Sequence, residues 1–365
     1  MISSIAARAA GLPYNRTQAI RPHVLRCPLE PPMIHGIDVH THFIPEQFPA
    51  YIGKGKDIPW PSMNHEGCGH AHVMIQGKNY RTVPSTSWAG DQRIVEMDQM
   101  GIGRQVVSPM PELLSYWLPA DDATVLLRHI NDQIAALCND HTQRFSGLGA
   151  VPLQDVDKAV RELEHIMTAQ RLLGAEIATH VNGVSIGDAR FEPFFAAAEA
   201  MGAAIFMHGL RPAGKERLVG PAALEQVVGF PGDVALGIAS LITGGMLARH
   251  PKLRIGFSHG GGAFSIVLPR LEHGWKNSPP IRDAIPESPT VYAKRCYYDT
   301  LVYNPQTLRY VIDTFGADRI MIGTDYPFQI ADRDPHGSVQ TVPGIDEKTL
   351  RMIRDENPRR YLGIA

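Results

Sequence analysis

The sequence predicts an α/β protein whose parallel strands and helices form a (β/α)8 barrel. Short apolar runs alternate with stretches of helical periodicity, as in βαβ units on a parallel sheet. Eight such runs follow residue 33, and eight is the strand number of this barrel. Polar residues end several runs, where a barrel carries its active site. An open doubly wound sheet remains the alternative, because periodicity does not show whether a sheet closes.

The predicted strands are apolar runs bounded by Gly, Pro or polar residues. They are Ile34–His40, Gln105–Pro109, Gly147–Pro152, Ala175–His180, Ala203–His208, Leu253–His259, Cys296–Thr300 and Arg319–Asp325. Amphipathic stretches between them repeat apolar residues at spacings of three and four, which predicts helices. These stretches include Ala120–Cys138, Val156–Leu173, Phe191–Met201, Ala235–Arg249, Pro305–Phe315 and Asp346–Glu356.

An insertion at roughly residues 44–92 separates the first strand from the second. Its pattern predicts a small hairpin at Val73–Val83. Excursions of this length near an active-site face commonly act as lids or substrate walls. A Gly- and Pro-rich loop at Gly209–Gly232 is expected to border the site as well.

Residues 1–32 differ in composition from the rest of the chain. They contain four arginines, no acidic residue before Glu30, and a terminal Pro31-Pro32. This composition resembles an organelle transit peptide, and it lacks the apolar core of a secretory signal. The alternative is that Met33 is the natural start. We expect little order in residues 1–32 and one barrel domain over residues 33–365.

Composition indicates an ordinary globular protein. The chain has 365 residues, 44% of them hydrophobic, and a formal net charge of -2. It lacks the basic stripe that a nucleic acid would require, and no apolar stretch reaches the roughly 20 residues of a membrane span. The four cysteines have no CxxC spacing, which favours a reducing compartment and predicts a cytoplasmic protein.

Residues at the ends of three predicted strands form a candidate metal site. His40 and His42 lie two positions apart, so on a strand both side chains point to the same face. His208 ends the fifth strand and Asp325 follows the eighth. Three imidazoles and a carboxylate suit zinc, which lowers the pKa of a bound water to about 7. Taken singly, each histidine could be a hydrogen-bonded core residue, and Asp325 could be a turn residue.

His259 begins a run of glycines at the end of the sixth strand, and its ordinary pKa suits an acid/base group. A fifth metal ligand is the alternative. Glu176 and His180, at the end of the fourth strand, are interpreted as ion-pair or hydrogen-bonding partners. Alternate spacing of Cys68, His70 and His72 would allow a second metal, which we do not favour. Arg81, on residue type alone, is a solvated surface charge.

Several segments together resemble the amidohydrolase superfamily, in the branch of aminocarboxymuconate-semialdehyde decarboxylases. The resemblance covers about residues 34–365, and its segments are IDVHTHF, GKNYRTV, RIVEMDQMG, VPLQDVDKA, SHGGGAFSIVLPR and GTDYPF. It implies a distorted TIM barrel and one metal per chain, usually zinc, with manganese as the alternative. The implied metal ligands are His40, His42, His208 and Asp325.

The resemblance also implies functional roles for three further residues. His259, acting with Asp325, would activate water, Arg81 would bind a substrate carboxylate, and Arg270 would reach the neighbouring site of a homodimer. The implied reaction is decarboxylation of a small unsaturated or aromatic carboxylic acid such as 2-amino-3-carboxymuconate 6-semialdehyde. A hydrolase or hydratase with the same metal chemistry is the first alternative, and a non-catalytic barrel is the second.

The chain departs from this branch after the fifth-strand histidine. Family members have His-Pro-Trp-Asp, whereas this chain has His208-Gly209-Leu210-Arg211. Arg211 adds a positive charge that could bind a further carboxylate or a phenolate, so we count it among the candidate substrate-binding residues. An ion pair or a surface position is the alternative. The aromatic pair Tyr116-Trp117 is expected to form a pocket wall or to pack in the core.

Overall fold

The computed structural model describes residues 35–365 except Cys68. Eight parallel strands form its centre, and we number them β1 to β8. They are β1 Ile37–Phe43, β2 Arg104–Pro109, β3 Phe145–Gly147 continued by Gly149–Ala150, β4 Gly174–Ala178, β5 Ala204–His208, β6 Arg254–Phe257, β7 Tyr297–Asp299 and β8 Ile320–Met321. The predictions made for residues 1–32 and Cys68 lie outside the described part of the chain.

The strands close into a barrel. Strands β1, β2 and the first part of β3 form one sheet, and the second part of β3 begins a six-stranded sheet that runs in order to β8. Strand β1 then pairs with the segment after β8, through a parallel bridge between Thr41 and Tyr326 and a 2.9 Å hydrogen bond from Val39 N to Ile322 O. The predicted distorted TIM barrel is therefore confirmed.

Helices surround the strands, as the amphipathic stretches predicted. Their bounds are α1 Gly90–Gln99, α2 Ala120–Asp140, α3 Val156–Thr168, α4 Glu192–Met201, α5 Phe230–Thr243, α6 Met246–Arg249, α7 Phe264–Asn277, α8 Pro279–Ala284, α9 Pro289–Ala293, α10 Pro305–Phe315, α11 Pro335–Gln340, α12 Glu347–Arg351 and α13 Asn357–Leu362.

Two helix predictions have the wrong bounds. The stretch predicted as Ala235–Arg249 forms two helices, because the chain turns at Gly244 and at Gly245, where φ is +73°. The helix predicted to reach Leu173 ends at Thr168. Contrary to the expectation from the sequence, the helical stretch Glu225–Thr243 is long and apolar enough to span a membrane by length and composition. Val234, Ile238 and Leu241 of α5 are buried in the core.

The barrel interior below the site is apolar. Ile37, Val39 and Phe206 pack there with Tyr361 and Leu362 of α13. The interior of the barrel is thus filled by side chains, as expected of eight strands. The polar residues considered below lie at the carboxyl ends of the strands.

A bulge in β1 changes which side chains face the interior. Asp38 pairs with Gln105 of β2 and Thr41 with Val107, so the β1 segment has one extra residue. Strict alternation from Ile37 and Val39 would turn His40 away from the interior. The extra residue re-aims the strand, and the His40 ring packs 5.1 Å from the interior ring of Phe206.

The insertion forms a three-stranded antiparallel sheet. Its strands are Pro61–Glu66, His70–Ile75 and Lys78–Pro84. The last two correspond to the predicted hairpin. Its turn residues Gln76 and Gly77 have φ of +50° and +70°, as a two-residue hairpin turn requires.

Candidate metal centre and active site

Four buried donors converge at the carboxyl ends of the strands. They come from His40 and His42 of β1, His208 at the end of β5, and Asp325 after β8, and their ligand atoms all lie within 4.8 Å of one another. His42 Nε2 is 2.9 Å from Asp325 Oδ1, and His40 Nε2 is 3.5 Å from the same oxygen. Barrel closure brings these elements together, because β1 and the segment after β8 are neighbours.

Hydrogen bonds assign the protonated nitrogen of each ring. His40 Nδ1 lies 2.7 Å from Asp299 Oδ2, His42 Nδ1 3.2 Å from Pro109 O, and His208 Nδ1 2.7 Å from Gly209 O. Each Nδ1 faces an acceptor and therefore carries hydrogen, which leaves the Nε2 lone pairs directed at the centre.

This donor set fits a divalent cation. The Nε2 atoms of His40 and His42 are 3.2 Å apart, and two lone pairs at that distance repel unless a cation or a proton lies between them. His208 Nε2 is buried and has no hydrogen-bond partner among the described residues. A buried polar atom of this kind is costly, and metal ligation satisfies it.

The charges of the donors also suit a cation. Burial, aided by the neighbouring histidines, holds the pKa of His208 well below its usual range, and burial lowers the pKa of His42. Burial opposes ionisation of Asp325, but contact with His42 and the charge of His40 outweigh it and lower its pKa. For His40, burial lowers the pKa, while Asp299 raises it on balance to about 9. A cation at His40 Nε2 therefore replaces a proton.

His259 lies beside the donors but is not one of the four. Its ring centroid is 4.9 Å from that of His208 and 5.3 Å from that of His40. Its Nδ1 is 3.1 Å from Ser258 Oγ, so Nε2 is the nitrogen left for other partners. Burial, followed by the charge of His40, lowers the pKa of His259 to about 4. The ring is thus neutral at neutral pH, and the lone pair of Nε2 is unprotonated.

A cavity of about 250 Å³ opens onto these residues. His208, His259 and Asp325 are among the residues that line it. Much of the remaining wall is apolar and consists of Pro111, Val227, Phe230, Pro231, Leu301, Val302, Phe328 and Ile330. Its size and lining suit a single small ring or diene.

Arg81 is the one lysine or arginine among the described residues that line this cavity. It belongs to the last strand of the insertion sheet, and its guanidinium lies 4.2 Å from the ring centroid of Phe328. The insertion therefore contributes a wall of the site and places one positively charged side chain, that of Arg81, in this wall. The guanidinium fork is suited to bidentate contact with a carboxylate.

The other two candidate arginines lie elsewhere. Arg211 is outside the cavity lining, where its guanidinium forms a 2.5 Å ion pair with Glu112 and stacks 3.2 Å from the ring centroid of Trp117. The sequence analysis gave an ion pair as one alternative for Arg211, and the structure shows this ion pair. Arg270 is exposed on α7 and does not line the cavity of its own chain.

The remaining polar residues considered from the sequence form local contacts. Glu176 is buried with Ser108 as its hydrogen-bond partner, and its Oε2 lies 4.0 Å from His42 Nδ1. His180 Nε2 lies 3.1 Å from Arg211 O, beside a second cavity that Tyr116 and Trp117 also line. His72 of the insertion pairs with Glu66 at 2.5 Å.

Sequence reasoning missed Asp299. This carboxylate ends β7, is completely buried, and contacts both His40 and the backbone of His259. A signal was present, because Asp299 follows Tyr297-Tyr298 at the carboxyl end of the seventh run, the same kind of position that the other site residues occupy.

The fold and site define a metal-binding enzyme built on a (β/α)8 barrel. A family model described as amidohydrolase matches residues 37–364, and the chain belongs to that family.

Individual relatives agree with this assignment. The chain is 32% identical to a 2-amino-3-carboxymuconate-6-semialdehyde decarboxylase of Dictyostelium discoideum, over 90% of this chain and 91% of that one. It is similar to the structure of 5-carboxyvanillate decarboxylase from Sphingomonas paucimobilis, with 29% identity, a TM-score of 0.69, and coverage of 75% of this chain and 83% of that one.

A third relative shares the fold and was solved with a metal. It is a dihydroxybenzoic acid decarboxylase from Polaromonas sp. with bound manganese and the inhibitor 2-nitroresorcinol. The two structures have a TM-score of 0.70 and 21% identity, with coverage of 91% of this chain and 97% of that one.

Proposed function

We propose that this protein is a metal-dependent decarboxylase of small unsaturated or aromatic carboxylic acids in the breakdown of aromatic compounds. The observation that carries the proposal is an apolar cavity lined by Arg81, His259 and two members of the four-donor cluster, His208 and Asp325. Relatives that act on 2-amino-3-carboxymuconate 6-semialdehyde and on 5-carboxyvanillate support this substrate class.

His40, His42, His208 and Asp325 are the proposed metal ligands. We propose zinc as the metal, because three imidazoles with one carboxylate suit its tetrahedral preference. Manganese is the alternative, supported by its presence in the relative from Polaromonas. A divalent cation held here supplies positive charge that stabilises developing negative charge on oxygen.

The chain's own residues perform the remaining tasks. Arg81 binds the substrate carboxylate from the insertion side, and the apolar wall holds the ring or diene and excludes water. His259 Nε2 accepts a proton from water as hydroxide adds to the conjugated acid, and it returns this proton to the substrate carbon. The bond to the carboxylate then breaks, carbon dioxide leaves, and the electron pair of that bond expels the hydroxide. Asp325 contributes both as a ligand and as a charge near His259. Positioning and electrostatic stabilisation are thus supplied by different elements of the barrel.

Arg211 is proposed as a further substrate contact. To bind an anion in the active-site cavity, its guanidinium must leave Glu112, because the ion pair occupies the fork in this conformation. The contact therefore depends on opening of that pair, and its contribution is expected to be smaller than that of Arg81.

We propose a homodimer in which Arg270 enters the partner's site. Exposed apolar residues lie on α7, which carries Arg270, and on the helices α5, α9 and α10 that pack against it, as on a surface that another protein covers. They are Leu236, Ile266, Val267, Val291 and Tyr310. We also propose a cytoplasmic location, which the free thiols of the described Cys138 and Cys296 support.

The proposed function is tested by carbon dioxide release from the metal-loaded protein. The substrates are 2-amino-3-carboxymuconate 6-semialdehyde made in situ, 5-carboxyvanillate and 2,6-dihydroxybenzoate, and the control is His259→Ala. Release that the control loses supports decarboxylation with His259 as the base. Oxygen-18 from water in the organic product, without carbon dioxide release, contradicts the proposal and indicates a hydrolase or hydratase.

A further inference from the structure

Asp299 joins three parts of the site through one buried carboxylate. Its Oδ2 accepts hydrogen bonds from His40 Nδ1 at 2.7 Å and from His259 N at 3.0 Å. Its Oδ1 accepts from Gly260 N at 2.7 Å and from Leu301 N at 3.0 Å. All four donors are directed at the carboxylate, so both of its oxygens are fully used.

The contact with His40 selects the nitrogen that can bind a metal. A carboxylate opposite Nδ1 holds hydrogen on that atom and leaves the lone pair on Nε2. His40 Nε2 faces the donor centre, 3.5 Å from Asp325 Oδ1. Asp299 therefore orients the ring and also sets its tautomer.

The contacts with the backbone hold the turn that carries His259. His259 and Gly260 have φ of +57° and +61°, and the left-handed region is costly for a residue with a side chain. Two of the four hydrogen bonds to Asp299 come from the backbone of these two residues. Charge-assisted hydrogen bonds of this kind offset the cost of the strained turn.

Gly323 makes the contact between Asp299 and His40 possible. It lies just after β8, the strand between β7 and β1. A Cβ at Gly323 would lie 2.6 Å from Asp299 Cβ and 2.9 Å from His40 Cβ. The missing side chain thus allows the carboxylate and the imidazole to meet across the intervening strand.

We infer that Asp299 is the positioning residue that couples the metal ligand His40 to the base His259. One carboxylate sets the orientation of both groups, so displacement of Asp299 disturbs metal binding and proton transfer together. The inference deepens the proposed function and depends on it for the roles of His40 and His259.

The variant Asp299→Asn tests the coupling directly. An amide has one acceptor oxygen, so its NH2 group must face either the His40 and His259 donors or the Gly260 and Leu301 donors. In the first orientation His40 must accept at Nδ1 and carry hydrogen on Nε2, which removes that lone pair from the metal. In the second, the backbone N–H of Gly260 in the turn and that of Leu301 after β7 lose their acceptor.

The measurement is the dissociation constant for zinc, by chelator competition on the metal-free proteins, together with the visible spectrum of the cobalt-loaded proteins. We expect Asp299→Asn to weaken zinc binding about 10- to 100-fold and to change the cobalt spectrum. In turnover, kcat should fall by more than KM rises. Asp299→Glu, which keeps the charge, should recover part of the metal affinity.

The matched control is Glu162→Gln. Glu162 is also a buried, hydrogen-bonded carboxylate, but it lies on α3 and contacts Arg128 and Asn131. Its variant should bind zinc like the unaltered protein. If Asp299→Asn does not fold, the positioning role is tested with Asp299→Glu. Zinc binding that is weaker than in Glu162→Gln supports the role, and equal binding contradicts it.

The outcomes separate this inference from the proposed function. Zinc affinity, a cobalt spectrum and a kcat that all stay unchanged in Asp299→Asn overturn the positioning role. Failure of the unaltered protein to bind zinc, manganese or cobalt overturns the proposed function instead. Tight binding by the unaltered protein and weakened binding by Asp299→Asn support both.

Discussion

The backbone N–H of Asp325 donates a 2.9 Å hydrogen bond to the carbonyl oxygen of His40. This bond lies at the seam where the first strand meets the segment after the last strand. It therefore joins two proposed metal ligands that are 285 residues apart in the chain. Closure of the barrel therefore brings His40 and Asp325 together, and His208 completes the donor cluster from β5.

Loss of one donor should remove the metal. We expect His208→Ala to retain far less than the roughly one ion per chain of the unaltered protein, because three donors and a cavity remain where four converged. Metal content after reconstitution and desalting is the measurement. His180→Ala is the matched control, since His180 also follows a strand but contacts the Arg211 carbonyl. Full metal content in His208→Ala would remove it from the ligand set.

Loss of Arg81 should weaken substrate binding without affecting the metal. Leaving a substrate carboxylate unpaired in an apolar cavity costs about 2 kcal/mol or more, which is roughly a 30-fold fall in kcat/KM. We expect this for Arg81→Ala and a smaller loss for Arg81→Lys, which keeps the charge but not the fork. Unchanged kcat/KM in Arg81→Ala would exclude the contact.

The glycine turn after His259 should not tolerate a side chain. Gly262 has φ of +58°, and a Cβ there would overlap the Pro231 carbonyl at the start of α5. We expect Gly262→Ala to lower the free energy of unfolding by more than about 2 kcal/mol, from backbone strain and from the overlap. Denaturant unfolding measures this.

Gly232→Ala is the control for that substitution. A Cβ at Gly232, one residue beyond Pro231, meets no atom within 4 Å and lies in a helix. Its stability should change little or rise slightly, because alanine favours helix. Equal effects of the two substitutions would show that the Gly262 turn is not strained by a side chain.

The dimer should depend on the apolar face of α7. Ile266 is 68% exposed there, so Ile266→Asp should yield monomers by light scattering. Ile52→Asp alters an apolar residue of the insertion segment that is 82% exposed, and it should leave the assembly unchanged. A monomeric unaltered protein would contradict the proposal.

Coexpression of two inactive variants tests whether Arg270 acts across the interface. In a hybrid of His259→Ala and Arg270→Ala chains, one site has His259 from one chain and Arg270 from the other. Random pairing into dimers should restore about a quarter of the active sites. If Arg270 served its own chain, no site would be complete and no activity would return.

Residue type and periodicity predicted much of this protein. The eight strands, most helices and the hairpin of the insertion follow from the local spacing of apolar residues. An element buried on one face or on both has apolar residues at a characteristic spacing. His40, His42, His208 and Asp325 were identified at strand ends, and the structure brings them together. The family assignment, made from short segments, is confirmed by the match over residues 37–364.

Other features were decided by contacts between distant residues. The bulge that turns His40 inward is set by pairing of β1 with β2, so alternation along β1 alone gives the wrong face. The contact of Arg211 with Glu112 joins the loop after β5 to the 3-10 helix Pro111–Leu114 after β2, and no local pattern links them.

The sequence by itself determined which chemical groups the protein has and at which strand ends they lie. Tertiary structure decided which of them meet: Asp299 reaches His40 because Gly323 leaves room between their strands. Predictions from residue type and periodicity use only neighbours along the chain. Ring tautomers, ion pairs and convergence of donors depend on neighbours in space, which closure of the barrel supplies.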